Sequence, residues 1–183
     1  MSAAVDYVAE HGLGDVSLRQ LATALGTSHR MLIYHFGSKQ GLLVEVIKTV
    51  EARQREIMAA MAAETEQAGE SAGAGLRRMW AQLADPVNWP HERLFFEIYG
   101  QALQGRPHTV ALLDDIVSSW TESGPVGGRA TSAERAWTRL GLAVYRGLLL
   151  DLLATGDRAG VDAAVEQFIG AYEAWLSSVG ARG

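Results

Sequence analysis

Between Arg19 and Lys39 the sequence gathers side chains able to grip a nucleic acid. His29, Arg30, Tyr34 and His35 fall in one short run, with Leu32 and Phe36 interleaved at helical spacing. On a helix this puts hydrogen-bonding groups on one side and an apolar anchor on the other. The planar fork of Arg30 matches the O6 and N7 edge of guanine, and its neighbours have the reach of base edges and phosphates in a major groove. Lys39 stands in the first turn of a following helix, where a cation opposes the helix dipole. A phosphate held by Lys39 and the free N–H groups would remove that conflict.

Catalytic chemistries find no comparable gathering. With no cysteine in 183 residues, disulfides, thiolate metal sites and thiol nucleophiles are excluded. Gly73 to Gly75 follows no strand, as a dinucleotide loop must. Gly37-Ser38-Lys39 has Leu32 where a P-loop needs its first glycine. Asp114 and Asp115 are adjacent, so they point to different helix faces. His91 and His108 lack a second ligand at metal spacing. The expectation is a chain that is not an enzyme and uses neither metal nor cofactor.

The candidate contacts need a frame, and the hydrophobic period is helical almost throughout, with no strand-like alternation. Ala4, Val5, Val8 and Ala9 mark a first helix ended by Gly12 and Gly14. Ser17, with Gln20 at capping-box spacing, begins a second whose stripe is Leu18, Leu21, Ala22 and Leu25. Gly26 stops it, Thr27 or Ser28 caps a third that runs to Phe36, and Ser38 caps a long fourth toward Met61. Two short helices around Leu25-Gly26-Thr27-Ser28 make a helix-turn-helix pattern. Glu66 to Gly75 reads as a loop or weak helix start. Further helices are expected over Leu76 to Leu83, Leu94 to Leu103, Arg106 to about Glu122, Ser132 to Ala154 and Val161 to Val179, with Ser123 to Thr131 a loop. The class is all-α, with about nine helices.

Apolar residues are 48% of the chain and charged residues 20%, a globular composition. The longest apolar stretch, Leu140 to Ala154, is broken by Arg146 and Asp151, too short for a membrane span. No basic segment precedes an apolar core at the start, so a cytoplasmic location is expected. The net charge of −5 argues against nucleic acid, but residues 1–48 are neutral and the deficit belongs wholly to residues 49–183.

The run Ser17 to Leu43, SLRQLATALGTSHRMLIYHFGSKQGLL, resembles the DNA-binding domain of the TetR/AcrR family of transcriptional repressors. The shared features are the helix-turn-helix, the aromatic or His-Phe pair, the Gly-Ser-Lys cap and the Leu-Leu helix start, over residues 3 to about 48. The resemblance implies a DNA-binding domain at 1–48 and a helical ligand-binding and dimerisation domain at 49–183. It implies DNA contacts from Thr27, Ser28, His29 and Arg30 at the start of the recognition helix, and from Tyr34 and His35 at its exposed end. Arg19 on the preceding helix and the phosphate-contacting Lys39 complete the set. Ile33 stands where the family often has Tyr, so Tyr34 takes over that phosphate contact or none is made. The family's basic arm has no counterpart before Ala3-Ala4; it is naturally absent, or the start is truncated or mis-assigned.

The remainder is rich in aromatic residues at helical spacing. They can be core, or they can line an apolar cavity with a few polar handles. The ligand-binding candidates are Trp80, Trp89, Phe96, Tyr99, Trp120, Tyr145 and Arg146, with Gln82, Asn88, His91, Arg93 and Asp151 as further handles. Arg146 interrupts an apolar helix; a salt bridge to Asp151 or Glu97, or a solvent-facing position, accounts for it equally. The last two helices are apolar over most of their surface and must be covered on both sides. Leu140, Val144, Leu148, Leu152, Val165, Phe168 and Tyr172 are therefore expected in a dimer interface built as a four-helix bundle.

The expectation is a repressor that binds a near-palindromic double-stranded DNA operator as a homodimer and is released by a small hydrophobic effector. The alternative is a helical small-molecule or lipid carrier, or a dimerisation module, with a degenerate helix-turn-helix.

Overall fold

Helix ends in this chain are set by local backbone chemistry. In the computed structural model, residues 2–12, 14, 17–105 and 131–180 are described. Helix α1 spans Ser2–His11, α2 Leu18–Ala24, α3 His29–Phe36, α4 Lys39–Gln67, α5 Ala72–Leu83, α6 Trp89–Leu103, α7 Ser132–Thr155 and α8 Arg158–Gly180, with a 3-10 turn at Pro86–Asn88. No strand occurs among the described residues. The helix expected over Arg106 to Glu122 lies outside them, as does the loop expected from Ser123 onward, all but its final Thr131.

Most caps follow the expected chemistry. Ser28 Oγ accepts from Met31 N–H at 3.1 Å, and Ser38 Oγ from Gly41 N–H at 3.0 Å. Ser17 is the N-cap of α2 by backbone geometry but its side chain makes no capping bond, so the capping box with Gln20 is not formed. A complete box closes elsewhere: Thr131 Oγ1 accepts from Glu134 N–H, and Glu134 Oε2 accepts from Thr131 N–H at 2.6 Å. The Glu66 to Gly75 segment is more helical than expected, since α4 runs on to Gln67 and Ser71 caps α5.

The chain divides into two compact units, Met1–Arg55 with Pro90–Ser118, and Glu56–Trp89 with Ser119–Gly183. In the first, the core is Val5 and Val8 of α1, Leu21 of α2, Leu32 of α3, Leu42, Val46 and Ile47 of α4, and Leu94, Phe95 and Ile98 of α6. In the second, α8 packs on α5 and α7. Its core holds Trp80, Tyr145, Leu149, Leu152, Val161, Val165 and Ile169. An aromatic seam joins the faces of α7 and α8: Trp137 meets Trp175 at 5.1 Å and Tyr172 at 5.6 Å, and Tyr145 meets Phe168 at 5.9 Å. Arg77 of α5 grips Glu166 of α8 with both Nε and Nη2, which holds the Glu166 carboxyl below its ordinary range.

Candidate nucleic-acid interface

The turn between α2 and α3 begins with a sharp helix stop. Gly26 has φ +64, a conformation that favours glycine. Its N–H reaches the Thr23 carbonyl at 3.1 Å, and Thr27 N–H reaches the Ala22 carbonyl at 2.9 Å, the paired bonds of a Schellman motif. The eight-residue α3 that follows is too short to stand alone. Leu32, 5% exposed, pins it to the core. What remains outward is mostly polar, with Thr27, Ser28, His29, Arg30 and His35 exposed and Tyr34 79% exposed, and the apolar Met31 and Ile33 are exposed among them. Arg19 of α2 is exposed as well. The Tyr34 and His35 rings meet edge to face at 5.4 Å. Ser28 Oγ already accepts the capping bond, which leaves its hydroxyl proton to donate.

Lys39 is half-buried, and its Nζ donates to the Gly14 carbonyl at 3.1 Å. Gly14 N–H donates to Glu97 Oε1 of α6 at 3.3 Å, so Gly14 in the α1–α2 connection is held by a cation and by a carboxylate. His91 Nε2, expected as a pocket handle, instead meets Asp6 Oδ1 of α1 at 3.0 Å. Beside it, Glu92 is buried, and Gln54 Nε2 of α4 donates to its Oε2 at 3.1 Å. Burial pushes the Glu92 carboxyl up to about 7. Three side chains of α6 thus fasten it to α1, to the α1–α2 connection and to α4. Partners this distant in sequence leave no local pattern by which they could have been read.

The ligand-binding candidates divide between the units. Phe96 and Tyr99 belong to the first, where both rings pack on Phe95, at 5.4 and 6.0 Å. Trp80, Trp89, Tyr145 and Arg146 belong to the second, and Trp120 lies outside the described residues. Trp80 and Tyr145 are buried against each other at 6.0 Å. Their polar ends are engaged internally, Trp80 Nε1 on Asp162 at 2.5 Å and Tyr145 Oη on the Leu76 carbonyl at 2.9 Å. Asn88 is likewise turned onto the Gln82 carbonyl at 2.8 Å. A groove of about 460 Å³ in the first unit is lined by Ala9, His11, Pro90 and Leu94 together with Glu10, Arg93 and Glu97, and holds none of the expected ligand-binding aromatics.

The interface candidates also sort by exposure. Leu140 is 47% exposed and Val144, Leu148, Phe168 and Tyr172 are only partly covered, whereas Leu152 and Val165 lie in this protomer's own core. Leu150, Leu176 and Val179 are exposed on the same two helices.

Among the described residues the fold is all helical, and its helix-turn-helix, with Arg30 outward on a second helix anchored by Leu32, defines the class of helix-turn-helix proteins. Residues 1–46 match the model of bacterial regulatory proteins of the tetR family. A transcriptional regulator from Rhodococcus sp. RHA1 shares 25% identity and a TM-score of 0.70, over 96% of this chain and 92% of its own. A TetR-family transcriptional regulator from Rhodococcus sp. shares 19% identity and a TM-score of 0.68, over 94% of each chain. A Saccharomonospora viridis transcriptional regulator solved in complex with choline shares 21% identity and a TM-score of 0.62, over 91% of this chain and 90% of its own. No curated protein matches the sequence. The N-terminal region is thus similar to the DNA-binding part of tetR-family regulators, and the chain over nearly its whole length shares the fold of these solved transcriptional regulators. Among the described residues, no helix is long and apolar enough to cross a membrane.

Proposed function

We propose that the chain is a cytoplasmic, ligand-responsive transcriptional repressor that binds a near-palindromic operator as a homodimer and leaves it when a small hydrophobic effector binds. The observation that carries the reading is the outward face of α3, where Arg30 and Tyr34 stand exposed on a helix anchored from behind by Leu32. Residues 1–48 form the DNA-binding part, with Arg19, Thr27, Ser28, His29, Arg30, Tyr34, His35 and Lys39 at the DNA. Residues 49–183 sense and dimerise. The choline bound by the Saccharomonospora regulator supports a small-molecule effector on this fold. The effector site is placed around Trp80, Trp89, Tyr145 and Arg146, and the dimer seam on α7 and α8, narrowed by burial to Leu140, Val144, Leu148, Phe168 and Tyr172. Helix α4, with residues in both units, carries the coupling, a free energy of about 1–3 kcal/mol in proteins of this kind.

An electrophoretic shift of the full chain on DNA from upstream of its own gene tests this. Saturable binding that survives excess scrambled duplex, and is weakened by a hydrophobic compound shown to raise the thermal midpoint, is expected. A compound that binds and leaves operator affinity unchanged at every concentration would overturn the sensing half of the proposal, and indifference to DNA sequence the other half.

A further inference from the structure

Helix α3 leaves an apolar side chain in water beside its arginine. Met31 and Ile33 are 44% and 36% exposed, while the anchor Leu32 is 5% exposed, and of the two only Ile33 stands at a spacing that shares a face with Arg30, since Met31 directly follows it. Ile33 follows Arg30 by three residues and Tyr34 follows it by four, so the three share the outward face. Neither α2 (LRQLATA) nor α3 (HRMLIYHF) carries an acidic residue, while Arg19 and Arg30 stand exposed. That charge suits a polyanion. In a duplex major groove the apolar feature offered at the base edges is the thymine methyl group. Isoleucine has no hydrogen bond to give there, but its branched, rotamer-restricted side chain is shaped to enclose a methyl.

We propose that Ile33 reads a thymine methyl group adjoining the guanine read by Arg30, so that each half-site carries guanine and thymine at a fixed offset. The assignment rests on the operator-binding reading above and adds to it a specificity-determining residue. The occupant is duplex DNA; A-form RNA lacks the methyl and has a major groove too narrow for side-chain readout.

The test begins with selection of binding sites by the full-length chain from a random duplex pool. The consensus is then resynthesised with deoxyuridine replacing each thymine in turn. At one position per half-site, removal of the methyl should weaken wild-type binding about fourfold, the size expected for burial of one methyl-sized group. Ile33→Ala should be indifferent to that replacement, and Ile33→Val should keep part of the discrimination. Because Ile33 lies outside the core, both variants should retain the wild-type helical spectrum, and the Ile33→Val variant the thermal midpoint as well. Equal deoxyuridine penalties in wild type and variants, or no penalty at any position, would overturn the assignment while the operator reading stood. Failure of the wild type to enrich any sequence would sink both.

Discussion

Arg30 and Lys39 are both cations of the reading head, but their surroundings differ, and they should fail differently when removed. Arg30 is exposed with nothing of the core beneath its charge. Arg30→Ala should cost about 1–3 kcal/mol on operator and relax preference at one position per half-site. Lys39 is half-buried and already fastened to the Gly14 carbonyl. Lys39→Ala should weaken operator and scrambled DNA alike and flatten the logarithmic salt slope by about 0.9, the counterion share of a single phosphate. It should also speed amide exchange in the α1–α2 connection, which a purely DNA-facing lysine would not do. Binding curves at several salt concentrations on both DNAs, with exchange measured on the free protein, separate the two behaviours. The exposed residues of α3 were legible in the sequence because one short helix carries them all. Glu97, which holds Gly14 from the other side, was not, because 83 residues separate the two.

At the scale of the element, α3 lives on one anchor and α6 on one buried acid. Leu32→Ala removes the anchor and should cost about 2–5 kcal/mol of stability, read by urea unfolding, because α3 cannot persist without its packing. Glu92 behaves in the opposite sense. Its folded-state value, about 7, lies above the ordinary 4.5, so the folded chain binds that proton more tightly than the unfolded chain does. Stability should therefore decline as pH rises from about 4.5 through 7 and stay low above it, by on the order of 3 kcal/mol for this group alone. Glu92→Gln keeps a hydrogen-bonding partner for Gln54 and cannot ionise. It should unfold like wild type near pH 5 and later than wild type at pH 8.5; equal midpoints at both would contradict the buried-acid account. Helix boundaries were readable where a glycine with positive φ closes a turn, as at Gly12, Gly26, Gly37 and Gly156. The start expected at Ser132 is also the observed one, fixed by Thr131, which stands three residues before Glu134 and closes a capping box with it. Expected pocket aromatics such as Trp80 and Tyr145 proved to be mutually buried, since periodicity marks an inward face without saying whether a ligand or another ring fills it.

For the molecule as a whole, the expected consequence is a two-fold dimer with its recognition helices roughly 34–36 Å apart, or a multiple of that, in register with successive turns of B-DNA. Leu140 tests the assembly cleanly, because it is 47% exposed in the single chain and its replacement disturbs no core. Leu140→Glu should keep the wild-type helical spectrum and sediment as a monomer at micromolar concentration, where wild type sediments as a dimer. A wild-type monomer in the absence of DNA would remove both the α7–α8 seam and the palindrome it implies.

Residues 1–48 hold no tryptophan, only tyrosines, at 7 and 34, while the described tryptophans, at 80, 89, 137 and 175, all fall within the second compact unit. Excitation at the red edge of the protein's absorption therefore leaves the helix-turn-helix dark. Any change in that emission on adding duplex DNA must have travelled from a region without a tryptophan, so the native chain carries its own optical reporter of communication between reading and sensing, with no label attached.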